Sequence, residues 1–341
     1  MAYDVIHKNS TVAGTPPTAG EIELGEIAIN AADAELYAKD TAGNIKTFSN
    51  NETLATKATF TQSGTGATQR TIAAKLQDVV SVLDFIPSGE HAAIKAGTST
   101  YDATDDIQAA INSIYQNDYL TSGGTVFFPN GTYKITAPLQ IPALGEYTLS
   151  GEGNSRIKKA GTTSATGLTN ITTATGLVVD PNVDAALILL AGTASYTYSI
   201  NINRLTIERD TKGTNSYVVF APCVATSVFD HCFFIGPAVN AFFATDIWNT
   251  TFTRCTFSGC DNGFIVDPLQ DSYAGTSLTL TSCYAVSNTN GFKLKNVLYS
   301  ELACCGVDFT NIGGVAYTID STATKASNLK LTKCATENTA G

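Results

Sequence analysis

A short pattern recurs between Ile200 and Thr336, and it constrains the fold more than any other feature of the chain. Its copies are Ile200-x-Ile202-x-x-Leu205-x-Ile207, Ser227-x-Phe229-x-x-Cys232-x-Phe234, Thr250-x-Phe252-x-x-Cys255-x-Phe257, Leu278-x-Leu280-x-x-Cys283-x-Ala285, Ser300-x-Leu302-x-x-Cys305-x-Val307 and Leu329-x-Leu331-x-x-Cys334-x-Thr336. The key positions Leu205, Cys232, Cys255, Cys283, Cys305 and Cys334 are 27, 23, 28, 22 and 29 residues apart. A repeat of this length denotes a solenoid, whose units bury their apolar faces against their neighbours.

Period-two alternation marks half-buried strands. The pattern alternates, skips one position, then resumes, so the skip is a corner between two strands that both face inward. Eight residues beyond the key position a second feature recurs, at Asn240, Gly263, Gly291 and Gly313, twice as Asn-Gly-Phe (Asn262-Gly263-Phe264 and Asn290-Gly291-Phe292). Asn and Gly tolerate left-handed backbone, so this reads as a turn before a further strand. In the last copy the apolar positions slip by one, to Val315 and Tyr317. Three short strands per coil, stacked at about 4.8 Å, make a right-handed parallel β-helix. The same letters fit the strand of a leucine-rich repeat, an interaction scaffold, but the Gly-, Asn-, Ser- and Thr-rich return segments do not suit that repeat's helix-compatible return.

The ladder of cysteines reads as small buried thiols. Cys255 and Cys260 are the only near match to zinc-ligand spacing among eight Cys, and no partner pair follows, so no metal is expected. The start Met1-Ala2-Tyr3-Asp4 lacks the basic and apolar regions of a signal peptide, so synthesis in a cytoplasm and reduced thiols are expected. No apolar run reaches membrane-spanning length. A net charge of −10 argues against nucleic acid and anionic membranes as partners, though not against a glycan.

Ahead of the repeats lie two different regions. Gly25-Glu26-Ile27-Ala28-Ile29-Asn30, Glu35-Leu36-Tyr37-Ala38-Lys39-Asp40 and Gly43-Asn44-Ile45-Lys46-Thr47-Phe48 read as short strands separated by turns. About 50 residues bury little core and call for a partner or oligomerisation. After a polar linker, Ile72, Leu76 and Val79 fall at helical spacing. A narrow apolar stripe on a short helix suits a bundle of identical copies.

These regions carry a resemblance. Gly25 to Asn30, Leu36 to Asp40 and Gly43 to Lys46 look like the virion-attachment module of bacteriophage tail fibres and tailspikes. Gln69-Arg70-Thr71-Ile72 through Val82-Leu83-Asp84-Phe85 is similar to the neck and first strand of tailspikes with a pectate-lyase-like β-helix. Thr104-Asp105-Asp106-Ile107-Gln108-Ala109-Ala110-Ile111 resembles the helix that caps the first coil, with Thr104 or Asp105 as N-cap and Ile107, Ile111 and Ile114 buried. Gly123 to Ile135 resembles the superfamily's first hairpin, and Leu149-Ser150-Gly151-Glu152-Gly153 the coil after it. The chain departs from many members at Ile86-Pro87, where they have Gly-Ala after Asp-Phe. The resemblance implies an attachment module over 1–50, a linker and trimeric neck helix over 51–80, and a β-helix over 81–341 with a capping helix at about 105–117. Because the repeat is still running at Cys334, the β-helix is expected to continue past 341. It further implies a homotrimer in a phage tail, docked on a tail or baseplate protein and facing host surface polysaccharide, with no cofactor.

Three scattered His and no Gly-x-Ser-x-Gly give no nucleophilic triad. Glycoside cleavage uses two carboxylates about 5 to 10 Å apart, a separation one or two coils supply. Among the outward or loop acids, Asp267 and Asp271 flank Pro268-Leu269-Gln270, and Asp246 lies about one coil earlier; Trp248 and Tyr273 could stack on sugar rings. A polysaccharide lyase or glycoside hydrolase acting in its own right is the alternative function. Asp105-Asp106 reads as helix capping rather than as an acid pair.

Overall fold

The computed structural model describes residues 7–48, 58–76, 78–115, 123–143, 145–168, 181–190, 196–268, 275–309, 313–321 and 328–337. They fall into two compact units, Met1–Asp78 and Val79–Gly341.

In the first unit, His7–Ser10, Ile27–Asn30, Glu35–Lys39 and Ile45–Phe48 form a four-stranded sheet in chain order, parallel between the first two strands and antiparallel after them. Its core is small: Ile22, Ala28 and Tyr37 are buried, with Ile45 packed on them. Ile27, Leu36 and Phe48 remain exposed. The region read as linker contains a strand, Thr59–Thr61, paired with Gln69–Thr71. The helix that follows is a single turn and a half, Ile72–Leu76, with no buried residue. Ile72 is 38% exposed, Leu76 69% and, in the second unit, Val79 47%.

The second unit opens with a cap. Helix His91–Ala96 ends at Gly97 in the left-handed conformation (φ 72°) that favours glycine. Helix Thr104–Ser113 buries Ile107, Ala110 and Ile111, with Ile114 at its C-cap. Its N-cap position is held by Ala103, not Thr104 or Asp105. The Thr104 amide instead donates to Asp102 Oδ1 at 3.1 Å, because a carboxylate two residues back reaches that amide without entering the helix. Asp106 accepts the Tyr101 hydroxyl at 2.7 Å. The helix ends short of the expected 117, and 116–122 lie outside the described residues.

Beyond the cap the chain winds into stacked coils. One ladder runs through Val228–Asp230, Thr251–Thr253, Thr279–Thr281, Ser300–Ala303 and Leu329–Thr332, and a second through Phe233–Ile235, Thr256–Ser258, Tyr284–Asn288, Gly306–Phe309 and Ala335–Glu337. Strand Asn201–Arg209 belongs to both, its two halves pairing with Val228–Asp230 and Phe233–Ile235. A third ladder joins Leu139–Ile141, Asp184–Leu189, Ser216–Phe220, Asn240–Ala244, Asn262–Val266, Asn290–Lys295 and Val315–Asp320. All these pairings are parallel, and strands rather than helices close each coil, which excludes the leucine-rich arrangement. A fourth, short ladder adds to the three strands expected per coil: Thr197–Tyr198, Cys223–Ala225, Asp246–Trp248 and Gly275–Thr276.

The skipped residue of the repeat is the corner. Arg204, His231, Arg254, Ser282, Cys304 and Lys333 all sit at φ between 52° and 54°, in the left-handed region that L-residues enter at a cost. Each of the middle four donates its amide to the next coil, as His231 does to the Thr253 carbonyl at 3.0 Å. A second row of left-handed corners follows the short ladder, at Ser199, Thr226, Asn249, Ser277 and Tyr299. Leu205, Cys232, Cys255, Cys283 and Cys305 lie just past the first row, at most 1% exposed, whereas Cys334 is half-buried. Each thiol reaches a carbonyl of the preceding coil, as Cys232 Sγ does with Ile202 O at 3.2 Å and Cys255 Sγ with Phe229 O at 3.4 Å. At the five cysteine coils the bend thus holds a small side chain, apolar in bulk and able to donate, whereas Leu205 fills it by packing alone.

Phenylalanines fill the lumen in coil-to-coil stacks: Phe229 on Phe252 with centroids 4.4 Å apart, Phe234 on Phe257 at 5.3 Å and Phe242 on Phe264 at 5.2 Å. The Asn-Gly-Phe motif is not the left-handed turn that the sequence suggests. Gly263 and Gly291 lie inside extended strands and do not have positive φ. Glycine is needed there for space: a Cβ on Gly291 would lie 2.4 Å from Ala316 O and 2.8 Å from a Val307 methyl. The asparagines form their own ladder, Asn262 Nδ2 donating to Asn240 Oδ1 at 2.9 Å and Asn290 Nδ2 to Asn262 Oδ1 at 2.8 Å. Only Gly313, the last position of that series, has the positive φ (87°).

Candidate functional site

The fourth ladder and its corner shape one recess in the side wall. It is lined by Tyr196, Asp246, Trp248, Gly275, Thr276 and Leu298 and has a volume of about 340 Å³. Asp246 pairs with Cys223 of the preceding coil and Trp248 with Ala225, so Asp246 and Trp248 project from the same side of one strand. Trp248, the residue before the left-handed corner Asn249, is 41% exposed. Asp246 is 8% exposed, although its sequence context suggests an outward acid. The apolar, buried Cys223 in register one coil earlier was the available signal, legible only with the fourth ladder aligned.

Tyr196 is the residue that sequence reasoning missed. Its hydroxyl donates to Asp246 Oδ2 at 2.7 Å, across 50 residues of chain, and its ring lies 6.2 Å from Trp248 and 5.9 Å from Tyr198, centroid to centroid. Asp246 Oδ1 has no hydrogen-bond partner, alone in this among the buried side-chain oxygens and nitrogens of the described residues. Burial pushes the Asp246 carboxyl above the usual carboxylate range, against smaller opposing pulls from the Tyr196 hydroxyl and the Ile247 amide. Burial likewise pushes the Tyr196 phenol up, reinforced by its bond to the carboxylate. The recess thus combines exposed aromatic surface, a hydroxyl at Thr276 and a carboxyl that resists ionisation.

Asp267 is not part of this group. It stands at the end of the third ladder, bonded to Lys293 Nζ, with Lys295 Nζ at 3.9 Å. Two lysines from the next coil neutralise it. Asp271 and Tyr273 lie outside the described residues. Within the described lining no second carboxylate accompanies Asp246, and no group of three or more His, Cys, Asp or Glu is placed to hold a metal among the described residues. No helix among the described residues is long and apolar enough to cross a membrane.

At the first corner row, Arg254 bonds both oxygens of Asp230 at 2.9 and 3.1 Å, and His231 Nδ1 lies 3.1 Å from the same carboxylate. Burial opposes ionisation of Asp230, but Arg254 and His231 hold it below the usual range. These solvated pairs on the wall brace adjacent coils.

Residues 95–186 match the family model described as rhamnogalacturonase A/epimerase, pectate lyase-like. No curated protein matches the chain. Among solved structures, the gp42 tailspike of Acinetobacter phage vb_AbaP_AS12 aligns at 16% identity with a TM-score of 0.55, over 97% of this chain and 56% of that one. ORF18 of Geobacillus virus E2 aligns at 15% identity and a TM-score of 0.48, over 92% and 60%. A tailspike mutant of Escherichia coli bacteriophage HK620, in complex with pentasaccharide, aligns at 13% and 0.44, over 81% and 53%. The chain spans a little over half the length of these structures. In fold, the chain is a parallel β-helix like that of the gp42 tailspike, with a pectate-lyase-like match confined to residues 95–186.

Proposed function

We propose that the chain is a component of a phage tailspike that binds bacterial surface polysaccharide through the side wall of its β-helix. The observation that carries this reading is the recess of Tyr196, Asp246 and Trp248. A rigid solenoid wall holds aromatic surface over a buried carboxyl, as a ligand site requires. Residues 1–50 would anchor the particle to the tail or baseplate. The exposed Ile27, Leu36 and Phe48 on their small sheet support that role. Ile72, Leu76 and Val79, all exposed, would close a trimeric neck and present three walls in the virion.

Binding is favoured over cleavage. Hydrolysis by a carboxylate pair needs a second acid at the scissile bond, and Asp246 has none beside it in the described lining. The test is adsorption of the labelled chain to bacteria with their surface polysaccharide intact and to isogenic cells stripped of it. Adsorption that depends on the polysaccharide, with no release of reducing ends, is expected. Equal adsorption to both overturns the reading.

A further inference from the structure

We infer that the recess is a subsite for one neutral pyranose ring, with Trp248 stacked on the ring face and Asp246 Oδ1 accepting a ring hydroxyl. This rests on the glycan-binding reading above and names which kind of sugar the wall selects, and where.

Three independent features converge on it. The first is the orphaned oxygen. A buried polar atom without a partner costs about 1 to 3 kcal/mol, and natural folds keep few of them. The surrounding coils observe that rule closely: Thr245 Oγ1 donates to Pro222 O at 2.6 Å, and Asn288 both donates to Phe257 O at 2.8 Å and accepts the Cys260 amide at 2.9 Å. A serine or an asparagine could receive the Tyr196 hydroxyl at lower cost than a buried acid. A carboxyl with one oxygen engaged and the other idle is explained if a ligand supplies the missing donor.

The second is shape. At about 340 Å³ the recess is at the small end of ligand pockets and suits a single ring rather than a length of polymer. At Gly275 adjacent coils meet backbone to backbone: a Cβ there would lie 1.7 Å from the Ile247 carbonyl oxygen. Gly275 therefore adds no side chain to the lining, and the Trp248 indole offers the flat apolar surface on which the C–H face of a pyranose rests.

The third is charge. The described lining holds no Lys, Arg or His, and its one carboxyl is Asp246. A uronate or sialate would find no counter-charge there, whereas a neutral ring brings hydroxyl donors and no charge to desolvate. The cations of the neighbouring wall are occupied elsewhere, Lys293 and Lys295 with Asp267 and Arg254 with Asp230.

Trp248 is the only tryptophan in the chain, so its fluorescence reports on this recess alone. The whole chain is titrated with the methyl glycosides of glucose, galactose and rhamnose, and with sodium galacturonate as the acidic probe. A saturable emission change with at least one neutral glycoside and none with galacturonate is expected. Asp246→Ala should weaken the response at least tenfold while the chain still melts cooperatively. Should that variant not fold, Tyr196→Phe, which frees Oδ2 and keeps the ring, must alter the affinity by at least threefold. Silence towards all three neutral glycosides, an equal response to galacturonate, or variants that bind like the parent would each overturn the assignment. Adsorption of Trp248→Ala to polysaccharide-bearing cells separates the two readings. If the recess is silent and the variant still adsorbs, the glycan site lies elsewhere and only this assignment falls. If neither variant nor parent adsorbs, the broader reading falls with it.

Discussion

Arg209 grips Asp184 with both terminal nitrogens, each 2.7 Å from a carboxylate oxygen, and neither side chain is more than 8% exposed. Lys159, fully buried, adds a third bond to the same carboxylate at 2.9 Å. Lys159 ends strand Glu146–Lys159, which pairs with Asn201–Arg209, so cations of two adjacent coils converge on one anion of the third ladder where the chain enters its regular winding. Burial pulls the Lys159 ammonium below its usual range, against the hydrogen bond it donates to Asp184. Removing the shared anion leaves two buried charges uncompensated. Asp184→Ala should therefore lower the free energy of unfolding by about 3 to 5 kcal/mol, and Lys159→Met by much less. Denaturant titration of both variants checks the order. A milder loss for Asp184→Ala than for Lys159→Met would sink the account.

The lumen offers a second test. Phe252 stacks on Phe229 at 4.4 Å and meets Phe242 and Phe264 edge-on at 5.0 Å. Phe252→Ala opens a cavity in a wall that cannot collapse along the axis, at a cost of about 3 to 5 kcal/mol. Phe252→Leu, which follows the Leu280 and Leu302 of the next coils, should cost less than half as much. The denaturation midpoints report both.

The corners predict an inversion of the usual preference for side chains. Ser282 is exposed, with φ 54°. Ser282→Gly should hold or raise stability, while Ser282→Val should lower it by about 1 to 2 kcal/mol. Equal melting temperatures for the two variants would show that the corner carries no strain.

Thiol accessibility separates the ladder from its neighbour. Cys304, the exposed corner residue, should react with a disulfide reagent at once, and Cys334 more slowly. The six buried thiols should wait for denaturant; burial helps push Cys260 and Cys283 up to about 12, with the Cys255 thiol the larger influence on Cys283. Fast modification of more than two groups in the folded chain would contradict the ladder.

Asp246 makes stability depend on pH in a definite sense. Its folded carboxyl titrates above the usual 3.8, so it favours folding at low pH, and that contribution is lost as pH rises through the raised value. Asp246→Asn removes the cost of burying the ionised form. The variant should melt at or above the parent at pH 8, and the gap should close or reverse near pH 3.5. A constant difference across that range would mean that the group does not titrate differently on folding.

Much of this architecture is legible in the sequence because a coil repeats its own constraints. The skip before each key position marks the left-handed corner, and the Cys run marks the buried bend just past it. What sits on the corner is not legible. Arg204, Arg254 and Lys333 are poor candidates for positive φ by local preference, and the ladders on either side override that preference. Gly263 and Gly291 mislead for a related reason: their glycine answers a clash with residues of the next coil, 16 or more positions away, which local turn rules do not register. The recess was half legible. Asp246 and Trp248 stand two positions apart in the chain, but Tyr196, which bonds Asp246, arrives from two coils earlier.

The measurement that bears most directly on the tailspike reading is the mass of the whole chain in solution by light scattering. The account predicts three times the 35.8 kDa of one chain, reduced to a single chain by Ile72→Asp with Leu76→Asp. A parent chain that runs at 35.8 kDa at all concentrations would contradict the trimeric neck and, with it, the presentation of three walls.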